Sequence, residues 1–234
     1  MVFFATRGLL GPSGTNAGDI DVGTEVILNE NGQPVNYLIV NQGIPSALYD
    51  ASCEGTWLLR KDIAENRQWH SFNNNDYENS TIDNYLNTTF LNLFESNIRD
   101  AIKQVKIPYR KGAGYGKTVT SGSSGLSTKI FLLSSTEVNL VHGYEPTNEG
   151  ACLSYFSGTA QNGADNKRVA KLNGSATRWW LRSPYCGFGS GSTLALRVSG
   201  DGDWRSGNCS DSCGIRTTLI PPYEFKFTSD QIAA

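Results

Sequence analysis

The chain has 234 residues, 38% of them hydrophobic and 18% charged, and a formal net charge of −2, a balance that leaves no electrostatic footprint for nucleic acid. No apolar run approaches the roughly 20 residues that span a bilayer, and Val2-Phe3-Phe4-Ala5 has neither the basic flank nor the apolar length of a secretory signal. Five cysteines (Cys53, Cys152, Cys186, Cys209 and Cys213) are an odd number in a chain long enough to fold on its core, which argues against a disulfide scaffold.

Residues 1–21 carry Gly, Pro, Ser and Asn at short intervals and read as an N-terminal arm or connection, docked through Val2, Phe3 and Phe4 or joined to something else. A single domain is expected over 22–227, with 228–234 as a tail. Thr24–Leu28 reads as a strand, Asn31-Gly32 as a hairpin turn, Val35–Val40 as the return strand and Thr56–Arg60 as a third apolar piece. Ser80-Thr81-Ile82-Asp83 offers cap chemistry ahead of Tyr85, Leu86 and Phe90. The spacing of Leu93, Phe94, Ile98, Ala101, Ile102 and Val105 predicts a second helix.

Val105–Tyr109 turns extended around Pro108, and Lys111–Ser127 reads as a long Gly/Ser loop. Ile130–Leu133 reads as a buried strand, and Ser134-Ser135-Thr136-Glu137 as the cap of a short helix running to Leu140. Leu194, Leu196 and Val198 alternate with Ala195, Arg197 and Ser199, the pattern of a half-buried strand with the second set toward solvent. Gly200–Asp203 is a turn, and Gly214–Ile220 a last strand stopped by Pro221-Pro222. These elements predict an α+β domain: a mixed, mostly antiparallel sheet, two or more helices, long irregular loops, and termini that meet in one sheet.

The most directive stretch is Arg178–Arg216. Bulky groups frame it, Arg178-Trp179-Trp180-Leu181-Arg182-Ser183-Pro184 before and Gly214-Ile215-Arg216 after, and Gly, Ser, Asp and Cys fill the middle. The middle has too little apolar surface to offset its own ordering entropy, so the expectation is a display surface on a rigid frame.

Motifs for chemistry are weak. Gly112-Ala113-Gly114-Tyr115-Gly116-Lys117-Thr118 has Lys111 where a phosphate-binding loop needs its first Gly, and no helix start follows. His70 and His142 lack the paired Cys or His spacing of a zinc site, and Asp201, Asp203 and Asp211 lack the spacing of a calcium loop. No nucleophile elbow is present, so neither catalysis, nor a metal, nor a cofactor is expected. Trp179 and Trp180 are adjacent, so at most one would be exposed on a strand. Trp204, set among small polar residues, is a candidate binding anchor.

Taken with Trp57-Leu58-Leu59-Arg60, Tyr85-Leu86-Asn87 and Phe90-Leu91, the Trp-Trp-Leu-Arg-Ser-Pro … Gly-Ile-Arg bracket resembles a domain-of-unknown-function group of C-type-lectin-fold proteins from gut bacteria and their phages. Many of these serve as variable proteins of diversity-generating retroelements. The resemblance covers about residues 22–220, with Thr217-Thr218 standing where the group's pattern has Pro-Ala. It implies a C-type-lectin-like fold, and a C-terminal segment overwritten by a template copy in which adenines are scrambled. Asn codons treated in that way never become Lys, Glu, Gln or Met. Residues 185–213 contain none of those four, which make up 26 of the 234 residues of the whole chain.

The resemblance therefore implies a variable surface comprising Cys186, Phe188, Ser190, Ser192, Arg197, Ser199, Asp203, Arg205, Ser206, Asn208, Cys209, Ser210, Asp211, Ser212 and Cys213. Trp204, which an Asn codon cannot reach, belongs to the frame or to a fixed contact. Glu145-Pro146-Thr147-Asn148 only approximates the calcium-lectin tripeptide, so no calcium is implied. The expected function is ligand binding by a phage-tail or cell-surface adhesin, with a host-cell surface receptor or another protein or glycan as partner and the N-terminal arm as a candidate oligomerisation element. One alternative is a calcium-independent carbohydrate-binding module with a fixed site at Trp204. The other is a cysteine-dependent oxidase with Cys209 and Cys213 as its redox pair.

Overall fold

Asn31 and Gly32 both take positive φ, 50° and 74°, the geometry a two-residue hairpin needs, and they join strands Glu25–Glu30 (β1) and Gln33–Gln42 (β2). The computed structural model describes residues 14–113, 118–141, 149–186 and 193–233. Val2, Phe3, Phe4, most of the Gly112–Thr118 motif, His142, Glu145–Asn148, Phe188, Ser190 and Ser192 lie outside those residues.

Further strands are Thr56–Arg60 (β3), Asn66–Gln68 (β4), Ile130–Phe131 (β5), Trp179–Pro184 (β6), Leu194–Val198 (β7), Trp204–Asn208 (β8), Ser212–Gly214 (β9) and Thr218–Leu219 (β10). They form two five-stranded sheets, ordered β5-β10-β3-β2-β1 and β8-β7-β6-β9-β4. All pairings are antiparallel except β6 with β9, which run parallel through Trp179 and Gly214. The architecture is thus mixed α+β, mostly antiparallel, with few and short helices.

Two segments cross from one sheet to the other side by side. The chain between β3 and β4 is bonded to the chain between β9 and β10 through Arg60 N–H to Thr217 O (2.8 Å), Ala64 N–H to Ile215 O (2.9 Å) and Ile215 N–H to Glu65 O (2.9 Å). Gly-Ile-Arg is therefore the seam between the sheets. Gly214 is required there, because a Cβ would stand 2.8 Å from both Arg178 O and the Ile63 side chain. Thr217-Thr218 continues into β10, where Thr218 pairs with Leu59 and Phe131.

The core spans both sheets and is rich in indoles. Trp57 stands edge-on between Tyr49 and Phe131, with centroids 5.5 and 5.6 Å apart. Trp57, Trp69, Trp179 and Trp180 are all fully buried, and each indole N–H reaches a backbone carbonyl: Cys53, Leu181, Arg168 and Arg67 respectively. Neither member of the Trp179-Trp180 pair is exposed, because β6 is central in its sheet and every residue from Trp179 to Pro184 is buried.

Several expectations need correction. The helical spacing around Leu93 is shared among different elements. Thr81–Tyr85 (α1) is capped by the Ser80 hydroxyl, which accepts the Asp83 N–H, and wider and tighter turns follow to Leu93. Phe94 is then extended and bridges to Glu30, so the second helix is only Ser96–Ala101 (α2).

Ser134 and Glu137 exchange the two hydrogen bonds of a capping box, Ser134 N–H to Glu137 Oε2 at 2.8 Å and Glu137 N–H to Ser134 Oγ at 3.1 Å. Asn139, at φ 57°, nevertheless ends that turn before a helix forms. The described parts of Lys111–Ser127 fold back as ribbons, Val119–Thr120 on Tyr109–Arg110 and Leu126–Thr128 on Val105–Ile107. Ala195 is buried and not solvent-facing: it lies between Pro184 of β6 and Gly207 of β8.

The boundaries of the domain also widen. Thr15–Asn16 pairs with Lys226–Phe227, Ala17 and Ile20 are buried, and Ile232 bridges to Val26. Residues 14–20 of the arm and 228–233 of the tail thus pack on the domain, and the termini meet as expected.

Candidate binding surface

The frame of the surface is polar at its centre. Arg182, on β6, donates from Nη1 and Nη2 to the two oxygens of Glu137 at 2.5 and 2.7 Å, and its remaining donors reach the carbonyls of Pro108 and Leu132. Glu137 also accepts the Tyr49 hydroxyl at 2.8 Å. Beside this pair Arg110 donates from its backbone N–H and from Nε to the carboxylate of Glu149, at 3.1 and 3.3 Å. All four charged side chains are fully buried, and two cations face two carboxylates, so the group is neutral as a whole. Burial opposes the charge on Arg182. The Glu137 carboxylate, then Glu149, outweigh it and push the pKa above the usual arginine value.

This network touches the start of the expected variable segment, since Arg110 Nη1 donates to Cys186 Sγ at 3.3 Å. The buried Asn75 ties together the chain on either side of residues 187–192, donating from Nδ2 to Leu194 O (2.9 Å) and Tyr185 O (3.3 Å). Its Oδ1 accepts the Ala113 N–H at 2.7 Å. Gly112 lies against it at φ +67°, where a Cβ would come within 1.9 Å of Asn75 O.

Outward from that frame, β7, the edge strand β8 and the chain leading into β9 carry most of the expected surface. Arg205, Asn208 and Ser212 are exposed; Ser199, Asp203, Ser206, Ser210 and Asp211 are half-buried. Asp203 accepts from Arg205 Nη1 (2.7 Å), Trp204 N–H (2.8 Å) and Gly163 N–H (3.0 Å). The Ser199 hydroxyl, then the Asp203 N–H, hold the Asp201 carboxyl below the usual carboxylate range. Arg197 lies across the sheet with its guanidinium 5.8 Å from the Trp180 ring and 3.8 Å from Asp211, its side chain 15% exposed. Trp204 is half-buried, and its Nε1–H reaches Asn162 Oδ1 at 3.2 Å, so its polar edge is engaged by the fold.

Cys209 and Cys213 do not belong to the surface. Cys213 sits in β9 between β6 and β4, and Cys209 exchanges backbone bonds with Thr193 and His70 that turn it inward. Both are buried free thiols, and burial pushes each up to about 12. That environment is opposite to the one that produces a reactive thiolate.

The sequence reading missed a contribution from Phe72 and Asn73. Phe72 is 66% exposed and lies tilted against the His70 ring, with centroids 4.7 Å apart, and Asn73 Oδ1 accepts the Ser210 hydroxyl at 2.6 Å. An exposed aromatic in the Ser71–Asn75 polar run was the available signal. His70 is buried, and burial lowers its pKa. Among the described residues, no cluster of His, Cys, Asp and Glu is placed to hold a metal, and no helix is long and apolar enough to cross a membrane.

A family model described as a domain of unknown function (DUF6273) matches residues 54–222, from the start of β3 to just past β10. No curated protein and no solved structure matches the chain.

Proposed function

From the premise that the chain belongs to the DUF6273 family, we propose that it is a binding protein with a C-type-lectin-like fold, whose changeable recognition surface lies within residues 185–213. It acts by displaying side chains and not by catalysis. One observation carries the reading: Arg205, Ser206, Asn208, Ser210, Asp211 and Ser212 are exposed or half-buried along the edge strand β8, the turn after it and the first residue of β9, while the residues that hold that backbone, Trp179 to Pro184 and Gly214 to Arg216, are all buried. Side chains that change and side chains that hold the fold are different residues. Substitutions at such solvent-facing positions shift stability by less than about 0.5 kcal/mol each, so the frame tolerates many together.

The bracket's resemblance to retroelement variable proteins supplies the means of change, and the absence of Lys, Glu, Gln and Met from 185–213 accords with it. The partner is a host-cell receptor or another protein or glycan, met at a virion or cell surface. A cysteine-dependent oxidase is disfavoured by the buried, protonated thiols of Cys209 and Cys213. A fixed sugar site at Trp204 would have only the ring face to use, since the indole N–H is already bonded to Asn162. Sequencing the same locus in sibling strains tests the proposal. Differences should concentrate at the exposed positions of 185–213 and spare Cys209, Cys213 and Trp204, with a near-repeat of the segment beside a reverse-transcriptase gene. Differences spread evenly along the chain would sink it.

A further inference from the structure

The seam between the sheets holds a second feature, outside residues 185–213 and independent of the display reading. Arg216, 1% exposed, lies where the chain passes from β9 to β10. Its Nε donates to Arg60 O at 2.9 Å, and its guanidinium carbon stands 5.1 Å from the Trp179 ring. Its Nη1 is buried, and among the described residues it has no hydrogen-bond partner and no carboxylate lies within ion-pair distance. A buried guanidinium donor left unmet is costly, and an anion held beside the guanidinium offsets part of that cost through its charge.

Arg216 borders an open cavity of about 290 Å³ that is also lined by Lys61, Lys167, Lys171, Asp62 and Tyr155. Burial lowers the Arg216 pKa to about 10, and the ionisable groups that act on the guanidinium next are Tyr155 and Asp62. Tyr155 and Asp62 line the same cavity as Arg216. The lining is cationic: four Lys and Arg side chains against Glu25 and Asp62. Glu25 is taken up by Lys61 at 2.5 Å, and one oxygen of Asp62 by the Lys171 backbone N–H at 2.9 Å. Lys167 Nζ is anchored at the mouth by Tyr155 O at 2.8 Å.

We propose that this cavity binds a small ligand through an oxyanion, a carboxylate or a phosphate, with the Arg216 guanidinium as the inner cation and the Lys167 and Lys171 ammonium groups at the rim. A charge-assisted bond from guanidinium to oxyanion is short and about twice as strong as a neutral one. The volume is near the lower end of small-molecule sites, about 300 to 1,000 Å³, which fits a monosaccharide acid or a small organic acid or phosphate.

Isothermal titration of the full chain with sodium glucuronate, inorganic phosphate and neutral glucose, at matched ionic strength, tests this. The expected result is saturable binding of glucuronate, phosphate or both, and none of glucose; which anion binds separates the carboxylate source from the phosphate source. Arg216→Gln removes the inner cation and abolishes binding, but it also disturbs the seam. The exposed pair Lys167→Gln/Lys171→Gln leaves the core untouched and should weaken binding about tenfold, or about 1.4 kcal/mol. No binding of either anion, equal binding of glucose, or wild-type affinity in the double lysine variant would overturn the proposal.

Discussion

Arg182 reaches Glu137 with both terminal nitrogens inside the core, at 2.5 and 2.7 Å, and neither side chain has any exposed surface. Removing one partner of such a pair leaves a charge buried without compensation, which costs about 3 to 5 kcal/mol. Arg182→Met should therefore lower the urea-unfolding free energy by that amount. Arg182→Met combined with Glu137→Met should cost less than Arg182→Met alone, since the Arg110–Glu149 pair remains neutral by itself. A double variant that loses as much as the two single variants together would show that the pair is not the unit the geometry indicates.

The surface and its frame are predicted to respond differently to the same chemical change. Arg205, Asn208 and Ser212 are exposed, and replacing all three by Asn, Ser and Tyr respectively should move the unfolding midpoint by no more than the sum of surface effects, each within about 0.5 kcal/mol. Cys213→Asn, three residues before Arg216, puts a larger polar group at a position 1% exposed and should destabilise the fold by about 1 to 3 kcal/mol. Thermal melts of the two variants decide the matter. Equal losses would mean that the segment is not divided into display and support.

Much of the fold was legible because local chemistry and tertiary packing agreed. Asn31-Gly32 dictates its own backbone geometry, and the apolar block Thr56–Arg60 is a strand to the residue. The second helix was overread because Phe94 kept helical spacing while pairing as a strand with Glu30, a contact far away in sequence. The surface was half legible. Alternation located Arg197 and Ser199, but Ala195 on the same side is buried, since alternation reports which face a residue occupies and not what covers it. The buried quartet Arg110, Glu137, Glu149 and Arg182 was illegible. Charged residues at four distant positions read individually as solvated, and only the fold reveals that they neutralise one another.

Thiol labelling separates the cysteines. Cys152 is exposed, whereas Cys53, Cys209 and Cys213 are buried and each is pushed up to about 12 by burial. Treatment of the native protein with iodoacetamide at neutral pH, followed by peptide mass spectrometry, should modify Cys152 and leave those three untouched until denaturant is added. Rapid native labelling of Cys209 or Cys213 would contradict their placement, and would restore the redox reading that their burial disfavours.

Asp83 supplies a pH-dependent test of the frame. It sits in α1, where burial, and then the neighbouring Glu78 carboxylate, raise its pKa to about 7, against about 3.9 for an aspartate in an unfolded chain. Between those values the folded protein keeps a proton that the unfolded chain has released. The stabilisation is thus complete below about pH 4 and is lost as pH rises through about 7. Asp83→Asn retains an acceptor for the Asn87 side-chain amide, which now donates to Asp83 Oδ1 at 3.2 Å, and it cannot ionise. Urea midpoints across this range should match at the acid end and diverge toward neutrality, with the Asn variant becoming the more stable. Because every other titrating group is common to both proteins, parallel curves would mean that Asp83 is already ionised throughout.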